Sequence, residues 1–250
     1  MTFYLTNHLS GHEQFIRQNF QEERLRLTEF QKGTDRWNSM DKSDLSFESL
    51  ARKTGLHLFD MKDMEKAIAC NIDAYNGYRL YDVLFGKHNT PEVMRKLWIS
   101  SLKSLSDAAM IVVDSEDING MAFFLPPGYT GMPIMPYLKS GGLKMPLSTL
   151  YPQARYESFC MQMKKRHTGH NSWYLFDLVV RQEKQLQGVA KSMLLPFFDY
   201  LDETEQDIYL ETHAAKNVPF YKHFGFDVVE TGLVPGSDLT HYGMLRSFRR

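Results

Sequence analysis

Residues 185–190, Gln-Leu-Gln-Gly-Val-Ala, join an apolar run at 173–180 to a helical pattern at 189–201. A strand that turns through a glycine directly into a helix leaves several main-chain N–H groups unpaired and pointing the same way. Such groups, together with the helix dipole, bind phosphate or pyrophosphate. The segment therefore predicts a phosphorylated ligand that is held by the main chain.

A second motif lies downstream, at 217–226, and reads Asn-Val-Pro-Phe-Tyr-Lys-His-Phe-Gly-Phe. The two motifs, in this order and each in a strand–turn–helix context, resemble the GNAT superfamily of acyl-CoA-dependent N-acyltransferases. The first matches that family's Gln/Arg-x-x-Gly-x-Gly/Ala pyrophosphate loop, and the second matches its Asn, Tyr and Gly-Phe pattern. The longer string from Tyr209 to Tyr221 is similar to the branch that includes puromycin N-acetyltransferase and other small-molecule acetyltransferases.

The resemblance implies that acetyl-CoA is the co-substrate. In this family two neighbouring parallel strands splay apart and the pantetheine arm enters the gap; here they would be 173–180 and 207–212, with a bulge expected in the first. The turn after Val180 departs from the family, because it lacks the usual proline and is unusually charged. The residues implied to bind the cofactor are Leu178, Val179, Val180, Gln185, Leu186, Gln187, Gly188, Val189, Ala190 and Asn217.

Tyr221 resembles the family's general acid, which protonates the departing thiolate. Asn217 precedes it by one helical turn on the same face and would bond the pantetheine arm. The alternatives are that Tyr221 is a core aromatic residue with a bonded hydroxyl, and that Asn217 is a helix N-cap.

The general base is less well defined by the sequence. Glu211 and His213 alternate along the strand at 207–212 and its end, so both can face one side of the sheet. Asp177 stands among apolar residues, where an unpaired carboxylate is costly, and a structural role fits it better. We take Glu211 as the candidate base; a base acting through water is the alternative.

No metal site is predicted. His167 and His170 have no cysteine or carboxylate beside them in the sequence, and we interpret both as loop histidines. Direct attack by an amine needs no enzyme nucleophile, so neither Cys70 nor Cys160 is a catalytic candidate.

Hydrophobic periodicity predicts a mixed α/β fold, with a mostly antiparallel sheet flanked by helices. We divide the chain into an N-terminal extension at 1–55, helical in character, and an acyltransferase domain at 56–250. A segment rich in proline and glycine, 126–146, is either a lid over the site or an ordinary covering loop. The predicted strands are 56–59, 108–113, 121–125, 173–180, 207–212, 226–230 and 239–245, and the predicted helices are 63–75, 91–105, 151–165, 189–201 and 218–224.

Composition narrows the class of protein. Of 250 residues, 43% are hydrophobic, and 29 Lys+Arg stand against 30 Asp+Glu, so a substantial core is expected but no nucleic-acid partner. Two cysteines are too few for a disulfide framework, no secretory signal is recognisable, and no run approaches the roughly 18 apolar residues of a membrane span. We expect a cytoplasmic protein without a membrane partner, and a homodimer is left open.

The sequence thus predicts an acetyl-CoA-dependent N-acetyltransferase that acts on a small amine. Two alternatives stay open: acetylation of a protein N-terminus or lysine, and a non-catalytic module that senses acyl-CoA. The first alternative requires an open groove, and the second has no need of a proton donor such as Tyr221.

Overall fold

A computed structural model describes residues 46–249, apart from 130, 132–136, 138 and 170. Most of the predicted extension at 1–55 and part of the predicted lid at 126–146 lie outside these residues, so both stay predictions. The described part of the extension includes helix α1, Phe47–Thr54, whose N-cap Ser46 accepts a hydrogen bond from the Ser49 N–H at 3.1 Å.

The remaining elements follow the predicted order closely. The other helices are α2 Met64–Ala74, α3 Arg79–Phe85, α4 Pro91–Leu105, α5 Leu147–His167, α6 Val189–Glu203 and α7 Asn217–His223. The strands are β1 His57–Leu58, β2 Met110–Val113, β3 Gly120–Leu125, β4 Trp173–Val180, β5 Ile208–Thr212, β6 Asp227–Leu233 and β7 Thr240–Arg246.

All seven strands form one sheet in the order β1-β2-β3-β4-β5-β7-β6. Every neighbouring pair is antiparallel except β4 and β5, which run parallel. The mixed, mostly antiparallel sheet with one parallel pair confirms the predicted fold class.

Helices cover both faces of the sheet and bury a core on each. On one face, α2, α3, α4 and part of α5 pack against side chains such as Phe123 and Tyr209. On the other face, α1, α6 and α7 pack against Phe124, Trp173 and their neighbours. Residues of β4 and β5 contribute to both cores, so the parallel pair lies between them.

Two helices differ from the prediction. Helix α3, between the predicted helices at 63–75 and 91–105, was not predicted; its Leu80 and Leu84 are buried one turn apart, and seven residues are too few to give a clear helical period. Helix α5 begins at Leu147 rather than 151 and continues through Pro152 to His167. Among the described helices, none has the length and apolar character that a membrane crossing requires.

Candidate active site

The loop between β4 and α6 has the geometry of an anion site. Gly188 is the N-cap of α6 and has a φ of 87°, a left-handed conformation that glycine adopts without a Cβ penalty. Leu186 also has a positive φ of 62° and is fully exposed. These two residues turn the chain sharply into the helix, as the sequence predicted.

Several N–H groups of this loop are available to a ligand. Within the described part of the chain, no main-chain hydrogen bond uses the N–H of Leu186, Gln187 or Gly188 as donor, and the first bond at the start of α6 runs from the Ser192 N–H to the Gly188 carbonyl at 3.0 Å. The first N–H groups of a helix have no partner inside it. The donors at 186–191 therefore fit a diphosphate.

Side chains at the base of the loop hold its shape. Gln185 Nε2 donates to the Val180 carbonyl at 3.2 Å, and Gln187 Nε2 donates to the Glu183 carbonyl at 2.7 Å. The Gln182 N–H donates to Asp73 Oδ2 on α2 at 2.7 Å, which ties the loop to the opposite helix layer. The glutamines that the sequence singled out thus brace the loop from within.

The parallel strands separate beside this loop. Residues Trp173–Leu175 of β4 pair with Ile208–Leu210 of β5. Beyond these three pairs the strands no longer pair, although β4 continues to Val180 and β5 to Thr212. The pairing of β4 with β3 shifts register between Phe123 and Phe124, which leaves Phe176 as an extra residue in β4. Such a bulge bends a strand away from its neighbour. The bulge and the splay expected from the sequence are both present.

The separated part of β4 offers main-chain groups to an extended ligand. Leu178, Val179 and Val180 pair with β3 on one side, and alternate residues of a strand direct their N–H and C=O groups to the other side. That side faces the gap, because β5 no longer pairs with β4 there. An amide-rich arm can add to this edge as a strand does.

Helix α7, which follows β5, carries Tyr221. The Tyr221 ring packs in the core on the α6 side of the sheet. Burial raises the pKa of its hydroxyl, and Tyr78 and Asp177, on the opposite side of the sheet, raise this pKa further through their charge. The hydroxyl makes no hydrogen bond within the described residues. Tyr221 is thus a core aromatic residue, as in the alternative weighed from the sequence, and its role as general acid stays a prediction.

Asn217 is not the N-cap of α7. Helix α7 begins at Asn217 itself, after the N-cap residue Lys216, whose side chain makes no capping hydrogen bond. Asn217 Nδ2 donates to Thr212 Oγ1 at the end of β5, at 3.2 Å. The amide therefore lies at the β5 edge of the gap, where a ligand between β4 and β5 can reach it.

The predicted base, Glu211, has other polar neighbours than Tyr221 has. Its Oε2 accepts a short hydrogen bond from the Tyr174 hydroxyl, and Lys164 and Tyr209 are its other polar neighbours. Burial raises the pKa of Glu211 to about 7. Glu211 lies on β5 one residue beyond the last pair with β4, but its carboxylate is engaged by Tyr174, and its role as base stays a prediction.

The sequence favoured a structural role for Asp177. In the structure, Asp177 is the carboxylate whose negative charge raises the pKa of the Tyr221 hydroxyl. It lies directly after the bulge, is 7% exposed and accepts a short hydrogen bond from the Tyr75 hydroxyl. Burial raises the pKa of Asp177 to about 7, although the hydrogen bonds from Tyr75 and the Leu178 N–H oppose the rise. Half-protonated near neutral pH, it can exchange a proton with a substrate.

Aromatic side chains surround Asp177 on the helical side. The Tyr75 ring stacks on Trp98 at 5.5 Å and meets Tyr78 and Tyr81 edge-on at 5.2 and 4.9 Å. All three tyrosines keep part of their surface exposed. They form an apolar wall with hydroxyl groups, next to the carboxylate; below, this set of four rings is called the aromatic wall.

His213 links the aromatic wall to a second buried polar group. Its Nδ1 lies 3.3 Å from the Tyr78 hydroxyl, and its Nε2 lies 2.7 Å from the Tyr156 hydroxyl and 3.0 Å from His241 Nδ1. His241 in turn lies close to Cys160 and Glu211. The sequence did not predict this cluster, because its members come from α5, β5 and β7, far apart in the chain.

Two minor predictions need correction or limits. His167 is not a loop residue: it ends α5, and its Nε2 lies 2.6 Å from Glu230 Oε2. His170 lies outside the described residues. Lys164, near the end of the same helix, is buried, and its Nζ donates to the Tyr129 carbonyl at 3.1 Å.

One surface concavity, of about 250 Å³, lies outside the gap between β4 and β5. It is lined by residues of α6, α7 and the C-terminal segment, among them Lys191, His223 and Arg249. It includes neither Tyr221 nor Asp177, so the chemistry described above is not located there.

Comparison with known proteins agrees with the geometry. An uncharacterised N-acetyltransferase of Schizosaccharomyces pombe is 28% identical over 180 residues, which span 67% of this chain and 72% of that protein. The crystal structure of a histone acetyltransferase HPA2 and related acetyltransferase of Corynebacterium glutamicum has a TM-score of 0.56 at 16% identity, over 78% of this chain and 96% of that one. Arylalkylamine N-acetyltransferase 2 of Aedes aegypti has a TM-score of 0.51 at 12% identity, over 78% and 98%.

No protein-family model matches the chain. The structural likeness nevertheless establishes that the fold is that of GNAT N-acetyltransferases. Together with the fission-yeast relative it supports an acyltransferase of this type. The acceptor class and the puromycin-like branch are not resolved by these similarities.

Proposed function

We propose that this protein is an N-acetyltransferase that transfers the acetyl group of acetyl-CoA to a small-molecule amine by direct attack. The observation that carries the proposal is the separation of β4 from β5, beside which two side chains, those of Tyr221 and Asp177, interact electrostatically. One belongs to the helix after β5 and the other to the bulge of β4. We assign the two side chains as the proton donor and the proton acceptor at the opening between the two strands.

The main chain around this gap fits coenzyme A. The free N–H groups at 186–191 suit the diphosphate, and the edge of β4 at 178–180 together with Asn217 suits the amides of the pantetheine arm. When bound, acetyl-CoA supplies an acetyl group activated as a thioester. The residues 185–190, predicted as the pyrophosphate loop, keep this role in the proposal.

Two side chains divide the proton transfers. The Asp177 carboxylate accepts a proton from the incoming ammonium, and the Tyr75 hydroxyl holds that carboxylate in place. The Tyr221 hydroxyl donates its proton to the departing thiolate and is restored from solvent. Burial raises the pKa of Tyr221, so the phenol is protonated when a proton is required.

Asp177 replaces Glu211 as the base that we favour. Glu211 is engaged by Tyr174, and the carboxyl charge that acts on Tyr221 is that of Asp177. Both pKa values are raised to about 7, so acidity does not distinguish the two carboxyls and position does.

The aromatic wall supports an acceptor with an apolar or aromatic body. A cationic amine is attracted both by the Asp177 carboxylate and by the faces of tyrosine and tryptophan rings. The Aedes aegypti protein of the same fold is an arylalkylamine N-acetyltransferase by name, which agrees with this choice. The Corynebacterium glutamicum protein is described as a histone acetyltransferase, so a peptide acceptor is the second candidate.

The test combines calorimetry with a panel of acceptors. Purified full-length protein is titrated with CoA and acetyl-CoA, and released thiol is then followed with arylalkylamines, polyamines, amino sugars and peptides. We expect binding of both nucleotides and thiol release with arylalkylamines. Turnover with peptides alone would mean that the acceptor is a peptide and not a small amine. Binding of CoA without any turnover would indicate a sensor, and absence of CoA binding would overturn the proposal.

A further inference from the structure

Three side chains with metal-binding atoms converge inside the protein, on the sheet face covered by α5. Cys160 comes from α5, Glu211 from β5 and His241 from β7, and one ligand atom of each lies within 4.8 Å of the other two. Cys160 is 4% exposed and His241 is fully buried. The three residues are 51 and 30 positions apart in sequence, so only the fold brings them together.

Two of these atoms are buried without a partner. His241 Nε2 and Glu211 Oε1 make no hydrogen bond within the described residues. The hydroxyl of Tyr209 lies beside the Glu211 carboxylate, and it too makes no hydrogen bond within the described residues. An unsatisfied buried polar atom is costly, so three such atoms in one place indicate a missing binding partner.

Neighbouring hydrogen bonds prepare His241 as a ligand. Its Nδ1 lies 3.0 Å from His213 Nε2, which also lies 2.7 Å from the Tyr156 hydroxyl. When His241 donates from Nδ1–H to His213 Nε2, the Nδ1–H of His213 faces the Tyr78 hydroxyl, and the Nε2 of His241 is unprotonated. The lone pair of His241 Nε2 then points into the cluster. In metal sites, a histidine ligand usually donates its other ring N–H to a neighbouring group, and this bond fixes the tautomer in the same way.

We propose that Cys160, Glu211 and His241 bind one Zn²⁺ ion, which fastens α5 to β5 and β7. A thiolate, an imidazole and a carboxylate are the ligands that zinc takes in proteins. Zinc–ligand bonds of about 2.0–2.3 Å in a tetrahedron set the ligand atoms about 3.5 Å apart, so the observed group closes by a small contraction. The Tyr209 oxygen or a water completes the four positions.

The charges of the site balance with zinc bound. Two anions, from Cys160 and Glu211, meet one divalent cation, and the Cys160 proton leaves to solvent on binding. Lys164 is the nearest buried cation, but its Nζ donates to the Tyr129 carbonyl, and no ion pair joins it to Glu211 among the described side chains. Lys164 therefore leaves Glu211 Oε1 free.

Metal content and cobalt spectroscopy test this proposal without reference to activity. The full-length chain, with any affinity tag removed, is purified without chelator and analysed for metals; we expect about one zinc per chain. After replacement of zinc by Co²⁺, a thiolate-to-cobalt charge-transfer band is expected. In Cys160→Ser the band should vanish, whereas Cys70→Ser, which removes the other buried cysteine outside the cluster, should keep both metal and band.

A readout on the unmodified chain covers the case in which Cys160→Ser does not fold. Removal of zinc by a chelator should release the Cys160 thiol and lower the midpoint of thermal unfolding, and alkylation of Cys160, followed by peptide mass analysis, should then be faster than in the zinc-bound protein. Zinc below one tenth per chain that cannot be restored by added Zn²⁺, or a cobalt spectrum without the thiolate band, would overturn the assignment.

Discussion

The Tyr75 hydroxyl on α2 donates a short hydrogen bond to the Asp177 carboxylate at the bulge of β4. The bulge inserts Phe176, so Phe176 and Asp177 both turn to the face that carries Tyr75. In a regular strand, successive side chains alternate between faces. One extra residue in β4 therefore separates the strands and also directs a carboxylate toward the aromatic wall.

Asp177→Asn tests the proposed base. We expect kcat/KM to fall by about 10²-fold or more near pH 8, with CoA affinity unchanged, since only the proton acceptor is lost. Activity of the unmodified protein should rise with pH through about 7, where the Asp177 carboxyl loses its proton, and the variant should lose that rise. Asp227→Asn, an exposed aspartate on β6, serves as control and should retain the profile.

Asp177→Asn also tests how the Asp177 carboxyl contributes to the free energy of unfolding. Burial raises the folded-state pKa of Asp177 above its ordinary value of 3.8, so folding favours the protonated form. This contribution to stability is present at low pH and is lost as pH rises from about 4 to about 7. Above pH 7, Asp177→Asn should therefore unfold at a denaturant concentration no lower than that of the unmodified protein. A clearly lower midpoint would mean that the carboxylate itself stabilises the fold.

Tyr75→Phe should shift the pH profile without abolishing turnover. The Tyr75 hydrogen bond lowers the pKa of Asp177, so its removal should move the acid limb of kcat/KM to higher pH. Tyr81→Phe is a matched control: its ring meets Tyr75 edge-on at 4.9 Å, but its hydroxyl makes no bond to Asp177. An equal shift in both variants would point to a general change in the aromatic wall.

Tyr221→Phe should separate binding from chemistry. We expect kcat to fall by about 10²-fold, because the departing thiolate loses its proton donor, while calorimetry shows the same CoA affinity. Tyr200→Phe, on the same core but in α6, should leave both quantities intact. Unchanged turnover in Tyr221→Phe would remove Tyr221 from its assigned role.

Gly188→Ala should weaken binding of CoA. At a φ of 87° an alanine is strained by about 1–2 kcal/mol, and relief of that strain turns the N–H groups of the loop away from the diphosphate. We expect a loss of affinity of about tenfold by calorimetry. Gly236→Ala, at a φ of 83° in the turn between β6 and β7, introduces similar strain. It should lower the free energy of unfolding by as much as Gly188→Ala does, but should bind CoA with unchanged affinity.

Asp202→Asn should destabilise the fold and leave the site intact. Arg246 is buried and forms a two-point ion pair with Asp202, at 2.8 and 2.5 Å. Its positive charge is left uncompensated in the variant, which should cost about 3 kcal/mol of unfolding free energy in denaturant titration. Glu92→Gln breaks the exposed pair with Lys96 and should cause no measurable change.

The order of elements could be predicted from the sequence because strands and helices here have distinct apolar periods. The loop at 185–190 was also recognisable, since a glycine between a strand and a helix is a local signal. Helix α3 escaped prediction because it is short, and the start of α5 was misplaced because Pro152 lies inside the helix. Local patterns thus determined the sheet, its flanking helices and the position of the anion loop.

The chemistry of the side chains was decided by the tertiary structure. Asp177 and Glu211 are both isolated carboxylates in apolar strands, and nothing in their neighbours along the chain indicates which one reaches the gap. The bulge, the partner Tyr75 and the meeting of Cys160, Glu211 and His241 all depend on contacts between distant segments. Periodicity carries information over a few residues, whereas burial, pKa and ligand geometry arise only when the sheet has closed under its helices.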